Sequence, residues 1–369
     1  MGSEVLIYAY GLVCLSILVF NLIYSVVLRG KGRRDARRTG RMAEAVAPAL
    51  SGTVPEGYAG RMEARLRNVK DLLALDEYLL TLTADTAGGY IGRISDVFPA
   101  LAEHYQGRDD TVCACFAHFV QHWGQYMGGA RGRLSQTVSQ YVRRNSLYCR
   151  INALKALCAL GDADLLLEAL IYLAGRTDED FLVDDKIIVE LLLGFRGDSR
   201  EFIAMIWDNL GRFREREQRA LLDYIRFKSG DYGDRMLDIL KDPERGKELR
   251  LSAIRYFARY PDGRARPALL DFVSDRDPAN WEYAAVAASA LAEYPGEDSI
   301  DALSGAMHSP NWYVRSNSAE SLEKLGFGYE GLTGRAAGSD RYAREMLTYN
   351  LEKRRLRPEH EAEKEAAKV

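Results

Sequence analysis

The chain has 369 residues, beyond the usual span of one compact domain, so it holds two domains or one extended repeat array. A hydrophobic fraction of 47% excludes a mostly disordered chain, and a formal net charge of −3 excludes a nucleic-acid binder by bulk composition. Five Cys and five His are too few for a disulfide-dense fold and fall in no zinc-ribbon spacing; free thiols of this kind suit a reducing compartment.

The first predicted element is the run 5–28, VLIYAYGLVCLSILVFNLIYSVVL, in which no residue is charged. At about 1.5 Å per residue it would make roughly 36 Å of helix, against a hydrocarbon core of ~30 Å. A cleaved signal peptide needs its positive charge before the apolar run. Here Glu4 precedes it, and Arg29, Lys31, Arg33, Arg34, Arg37, Arg38 and Arg41 follow it. The order predicts a single transmembrane helix in a bacterial inner membrane, N-terminus out, with the rest of the chain in the cytoplasm. The same seven basic residues are candidates to lie against anionic lipid headgroups, each contributing on the order of 1 kcal/mol. Residues 1–41 carry net +5, which leaves −8 for the remainder, so nucleic acid is not an expected partner, and anionic-lipid or nucleic-acid binding through the basic neck stands as an alternative function.

Residues 29–56 read as a basic juxtamembrane segment and a linker, because Pro48, Gly52 and Pro55 interrupt any apolar period over 43–56. Residues 57–144 are helical in pattern, with candidate helices at 62–82, 94–105 and 112–127, and are expected to form atypical capping helices.

From residue 145 a register emerges. Arg150, Asp184, Gln218, Arg250, Ala284 and Arg315 are separated by 34, 34, 32, 34 and 31 residues. Four positions after each stand Leu154, Ile188, Leu222, Ile254, Ala288 and Ala319; seven after stand Leu157, Leu191, Ile225, Phe257, Leu291 and Leu322. Three after, only Ser318 breaks an apolar column. Eleven after come Gly161, Phe195, Ser229, Pro261, Pro295 and Gly326, mostly chain breakers, and a second helix follows. Each hairpin has an apolar stripe that only a neighbouring hairpin can cover, so stacking is required. About six repeats over 145–338 are predicted, then a cap helix at 342–351 and a charged tail to residue 369. The fold class is therefore all-α: one transmembrane helix followed by an α-α superhelix.

The segments 309–326 (SPNWYVRSNSAESLEKLG) and 145–170 resemble HEAT repeats, through a turn Pro, a Val314-Arg315-like pair, and Ala and Leu at helical spacing ending in Leu-Gly. The same pair recurs as Leu249-Arg250 and Cys149-Arg150. The resemblance implies an α-solenoid whose work is binding, and no enzymatic activity is expected. With the basic neck, it implies a membrane-tethered scaffold that docks another protein, such as a membrane glycosyltransferase of exopolysaccharide assembly.

Candidate sites are few. Trp281 and Trp312 each stand three residues before an anchor, so with Tyr283, Tyr313 and Arg315 they are candidates for a protein-binding ridge. Cys115, His118 and His122 fall at i, i+3 and i+7 of one helix, with Cys113 beside them, and are weak candidates for a metal. They carry the alternative of a metal-dependent or lyase-type enzyme. The di-iron centre of the HEAT-like deoxyhypusine hydroxylases uses repeated His-Glu pairs, and here the sole pair is His360-Glu361 in the tail. No phosphate-binding or dinucleotide motif is present, and no cofactor is expected.

Overall fold

The structure, a computed structural model, describes residues 2–50, 55–176, 183–326, 341–346 and 348–349, the side chains at 2–7, 9, 26–29 and 31 excepted. Every regular element among them is helical. The chain divides into two units, one of Met1–Val183 with Gly194–Met205, the other of Asp184–Leu193 with Ile206–Val369.

In the first unit α1 (Gly2–Leu50), α2 (Tyr58–Leu66), α3 (Val69–Leu79), α4 (Ala84–Arg93), α5 (Phe98–Gln106), α6 (Asp110–Trp123), α7 (Arg131–Tyr141), α8 (Leu147–Leu160) and α9 (Ala163–Ala174) follow in order. They form two rows. α1 packs on α3, α3 on α6 and α6 on α8, while α2, α5, α7 and α9 pack successively in the other row. Stacking of alternate helices therefore begins well before residue 145, where the sequence register first becomes visible.

The second unit repeats the scheme. After α10 (Asp185–Leu193), and following α11 (Ser199–Asn209), of which residues 199–205 belong to the first unit, come α12 (Glu215–Lys228), α13 (Gly233–Lys241), α14 (Lys247–Arg259), α15 (Arg266–Ser274), α16 (Trp281–Ala290), α17 (Glu297–Ala306) and α18 (Trp312–Lys324). α10, α12, α14, α16 and α18 each pack on the next, and α13, α15 and α17 each pack on the helix that follows. Five of the anchor positions lie on α8, α12, α14, α16 and α18, and Asp184 immediately precedes α10. The columns four and seven residues after the anchors are buried in all six copies. Burial of those stripes between neighbouring hairpins is what holds the stack together.

The repeat arginine has a local task. Arg150 Nη1 donates to the carbonyls of Arg144 (2.9 Å) and Asn145 (2.7 Å), and Arg315 Nη1 donates to those of Ser309 (2.7 Å) and Pro310 (3.0 Å). The spacing, six and five residues back, is the same in both. The guanidinium satisfies turn carbonyls that have no helical partner. Arg250 differs: it reaches Leu240 O at 3.3 Å and lies over the rings of Phe272 and Tyr283.

The Leu-Gly break is equally explicable. Gly161 ends α8 with φ 75°, its N–H on Leu157 O, and Asp162 then caps α9 by accepting from Leu165 N. A Cβ on Gly161 would lie 3.0 Å from Gly197 N and 3.2 Å from its Cα. Gly161→Ala should cost about 2 kcal/mol, from left-handed strain plus backbone crowding, read as a lower denaturant midpoint with unchanged helicity.

Two expectations are corrected. Among the described residues no helix is long and apolar enough to cross a membrane. The described fold is all-α with stacked helical hairpins, and among the described residues it supports neither the expected transmembrane helix nor the single-pass inner-membrane placement. Residues 10–25 are the contiguous described side chains of the apolar run. The side chains of the remainder, at 5–7, 9 and 26–28, lie outside the described residues, as do those of Arg29 and Lys31. Within the described part Leu12, Leu15, Phe20 and Ile23 are exposed.

The second correction concerns 43–50. Pro48 there predicts a linker, but α1 continues to Leu50, because Met42, Val46 and Ala49 at helical spacing are buried. Arg38 pairs with Asp71 of α3 at 3.4 Å, so one member of the basic cluster braces the helix, while Arg33, Arg34, Arg37 and Arg41 are exposed. The expected tail, 352–369, lies outside the described residues.

Candidate metal site

α3 and α6 build the site. Asn68 caps α3 by accepting from Lys70 N, and Asp109 caps α6 by accepting from Thr111 N and Val112 N. On α3 the positions 72, 75, 76 and 79 form the inward stripe; three are leucine and the fourth is Asp76, all buried. On α6, His118 and His122 are one turn apart, with ring centroids 4.4 Å apart and the planes at 64°.

Packing of α3 on α6 brings the three together. His122 Nδ1 lies 2.9 Å from Asp76 Oδ1 and 3.2 Å from Oδ2, and Trp123 Nε1 donates to Asp76 Oδ1 at 2.8 Å. One ligand atom from each of Asp76, His118 and His122 lies within 4.8 Å of the others. Bonds of ~2.0–2.2 Å to zinc hold cis ligand atoms roughly 3.0–3.5 Å apart, so a small inward movement of the side chains closes the set.

The electrostatics separate the two imidazoles. The hydrogen bond that His122 makes to the Asp76 carboxylate holds its imidazolium above its usual range. Burial, with His122 close by, pushes His118 below it. His118 thus presents a neutral ring, the form that ligates metal.

The cysteines of the expected cluster do not join. Cys115 and His122 are seven residues apart, about 10.5 Å along the axis, too far to share one ion. Cys113 is a fully buried free thiol, held below its usual range by the neighbouring Cys149 thiol of α8. Asp76 is the ligand that sequence reading misses, although a carboxylate in a leucine stripe is a signal in itself.

The aromatic candidates divide. Trp281 stacks on Tyr313 (5.6 Å, 24°), and Trp312 meets Tyr313 edge-on at 5.2 Å. Trp312 and Tyr313 are 44% and 56% exposed. Tyr283 is instead buried, stacked on Phe272 at 5.0 Å beneath Arg250. Arg315 is occupied by its turn carbonyls.

Among the described residues the arrangement is all-α, of stacked helical hairpins, with a buried carboxylate beside two half-buried imidazoles. A family model for HEAT repeats matches residues 233–323, which with the stacking supports HEAT repeats in that part of the chain. No curated protein matches the chain. Among solved structures it is similar to human deoxyhypusine hydroxylase in complex with glycerol, at 16% identity and a TM-score of 0.27, over 82% of this chain and 98% of that one. A likeness that slight carries no argument about chemistry.

The expectation of no enzymatic activity is nevertheless corrected. Within this chain Asp76 completes, with His118 and His122, a metal-competent group that the sequence pattern did not contain.

Proposed function

We propose that the chain is a metal-dependent HEAT-repeat enzyme whose ion is held by Asp76, His118 and His122. The convergence of two imidazoles and one carboxylate within 4.8 Å carries this reading. Structural zinc sites are closed by four protein ligands, whereas three ligands leave positions for water or substrate. Two His and one carboxylate suit zinc or ferrous iron. Bound there, the ion would supply Lewis acidity or an activated water. Trp123 fixes the Asp76 carboxylate, so the ligand set is held on two rigid helices.

Titration calorimetry of the purified chain with Zn²⁺ and with anaerobic Fe²⁺ tests this. One ion per chain is expected, with affinity falling at least tenfold between about pH 7.5 and about pH 5.5 as protons compete for both imidazoles. Competition at His122 begins above its ordinary value of 6.5 because its folded value is raised, while that at His118 begins below. The stability terms run oppositely. The Asp76–His122 contribution is present below the ordinary value and lost as pH rises through the raised one; the His118 term favours folding at higher pH and is lost as pH falls. Absence of stoichiometric binding, or binding indifferent to pH, overturns the proposal.

A further inference from the structure

We propose that a cleft of about 280 Å³ in the second unit receives a basic side chain, an arginine above all, from a partner protein. The cleft lies between the turn 275–280, which joins α15 to α16, and the turn 309–311 before α18. Its floor is apolar: Val273, Ala284 and Val314 line it and are all buried. Trp281, stacked on Tyr313, forms a wall, and Asp275 and Asp277 stand at the exposed lip.

That combination matches one kind of guest. A small apolar slot with carboxylates at its mouth fits an aliphatic stem ending in a cation, which buries its methylenes and keeps its charge near water. The volume is below the ~300–1,000 Å³ of ordinary small-molecule sites, so one long side chain is the appropriate occupant. Arginine is preferred over lysine because its planar group stacks on an indole face and offers forked donors to carboxylates.

The charge is also uncommitted. Asp185, Asp234, Asp262 and Asp298 of the same unit are each ion-paired with arginine. Asp275 accepts from Asp277 N and Asn280 Nδ2, and Asp277 accepts from Ala279 N, all neutral donors. Arg276, on the same turn, donates to Gly305 O at 3.1 Å and pairs with neither carboxylate. Beside the cleft the exposed Trp312 and Tyr313 extend the surface with the residue types that anchor protein partners.

Saturation-transfer NMR on the full chain tests this, using acetyl-Gly-Arg-Gly-amide and its citrulline twin as probes. Transfer to the arginine methylenes is expected, at least fivefold stronger than to citrulline, and reduced about fivefold in Asp277→Asn. Asparagine keeps the turn-capping acceptor while removing the charge, so this variant retains its fold. Equal transfer to both peptides, or an unchanged signal in both Asp277→Asn and Asp275→Asn, overturns the proposal. So does free spermidine displacing the peptide at equal concentration, since the slot would then be a small-cation site and not a protein-docking one.

Discussion

His118→Ala is expected to lower zinc affinity at least a hundredfold, about 2.8 kcal/mol, while changing the stability of the metal-free chain by less than about 1 kcal/mol. Asp76→Ala should lower affinity comparably but also destabilise the metal-free protein by about 2–4 kcal/mol. The difference follows from the hydrogen bonds. Asp76 is buried and accepts from both His122 Nδ1 and Trp123 Nε1, so its removal leaves a buried indole N–H without its acceptor. His118 takes no part in that brace. Asp76→Asn separates the two roles, because an amide oxygen still accepts from Trp123 but ligates metal poorly. Calorimetric zinc titration and urea denaturation of the three variants check the pattern. Wild-type affinity in His118→Ala would remove His118 from the ligand set and leave Asp76, His122 and Trp123 as a purely structural clasp.

Arg150→Ala is expected to cost about 3–5 kcal/mol, against about 1 kcal/mol for Arg315→Ala, although the two arginines make the same pair of bonds to turn carbonyls. Burial decides the difference. Arg150 is fully buried, so truncation leaves a cavity and takes the donor from two part-buried carbonyls, those of Arg144 and Asn145. Arg315 is half-buried, and water can replace its guanidinium at Ser309 and Pro310. Equilibrium urea unfolding monitored by circular dichroism measures both. Equal losses would mean that the arginine acts by charge and not by plugging the turn.

Much of the repeat architecture was legible before any coordinates. A column of apolar residues four and seven positions after each anchor, recurring at 31 to 34 residues, can only be buried by stacking neighbours, and those columns are the buried ones. The alternating packing before residue 145 was not legible. There α1, α3, α6 and α8 pack in the same alternating way, but large aromatic residues join the two rows, Phe116 of α6 meeting Tyr105 of α5 and Tyr141 of α7, and no fixed period survives. The apolar run 5–28 misled in the other direction, since an uncharged helix reads as a span from composition alone.

The site divides along the same line. His118 and His122 share a helix face by local geometry, because a separation of four residues is one turn in any helix, and so the sequence alone paired them. Their partner was decided by the tertiary structure. Asp76 is 42 residues before His118 in the chain and reaches it only because α3 packs on α6, a contact whose register depends on how two apolar stripes interlock. Trp281 and Tyr313 are likewise brought into a stack by the packing of α16 on α18, whereas Tyr283, two residues from Trp281, is turned into the core. Periodicity along one strand of sequence determines which residues share a face. Which faces meet is set by packing between helices, and that information is distributed over many residues at once.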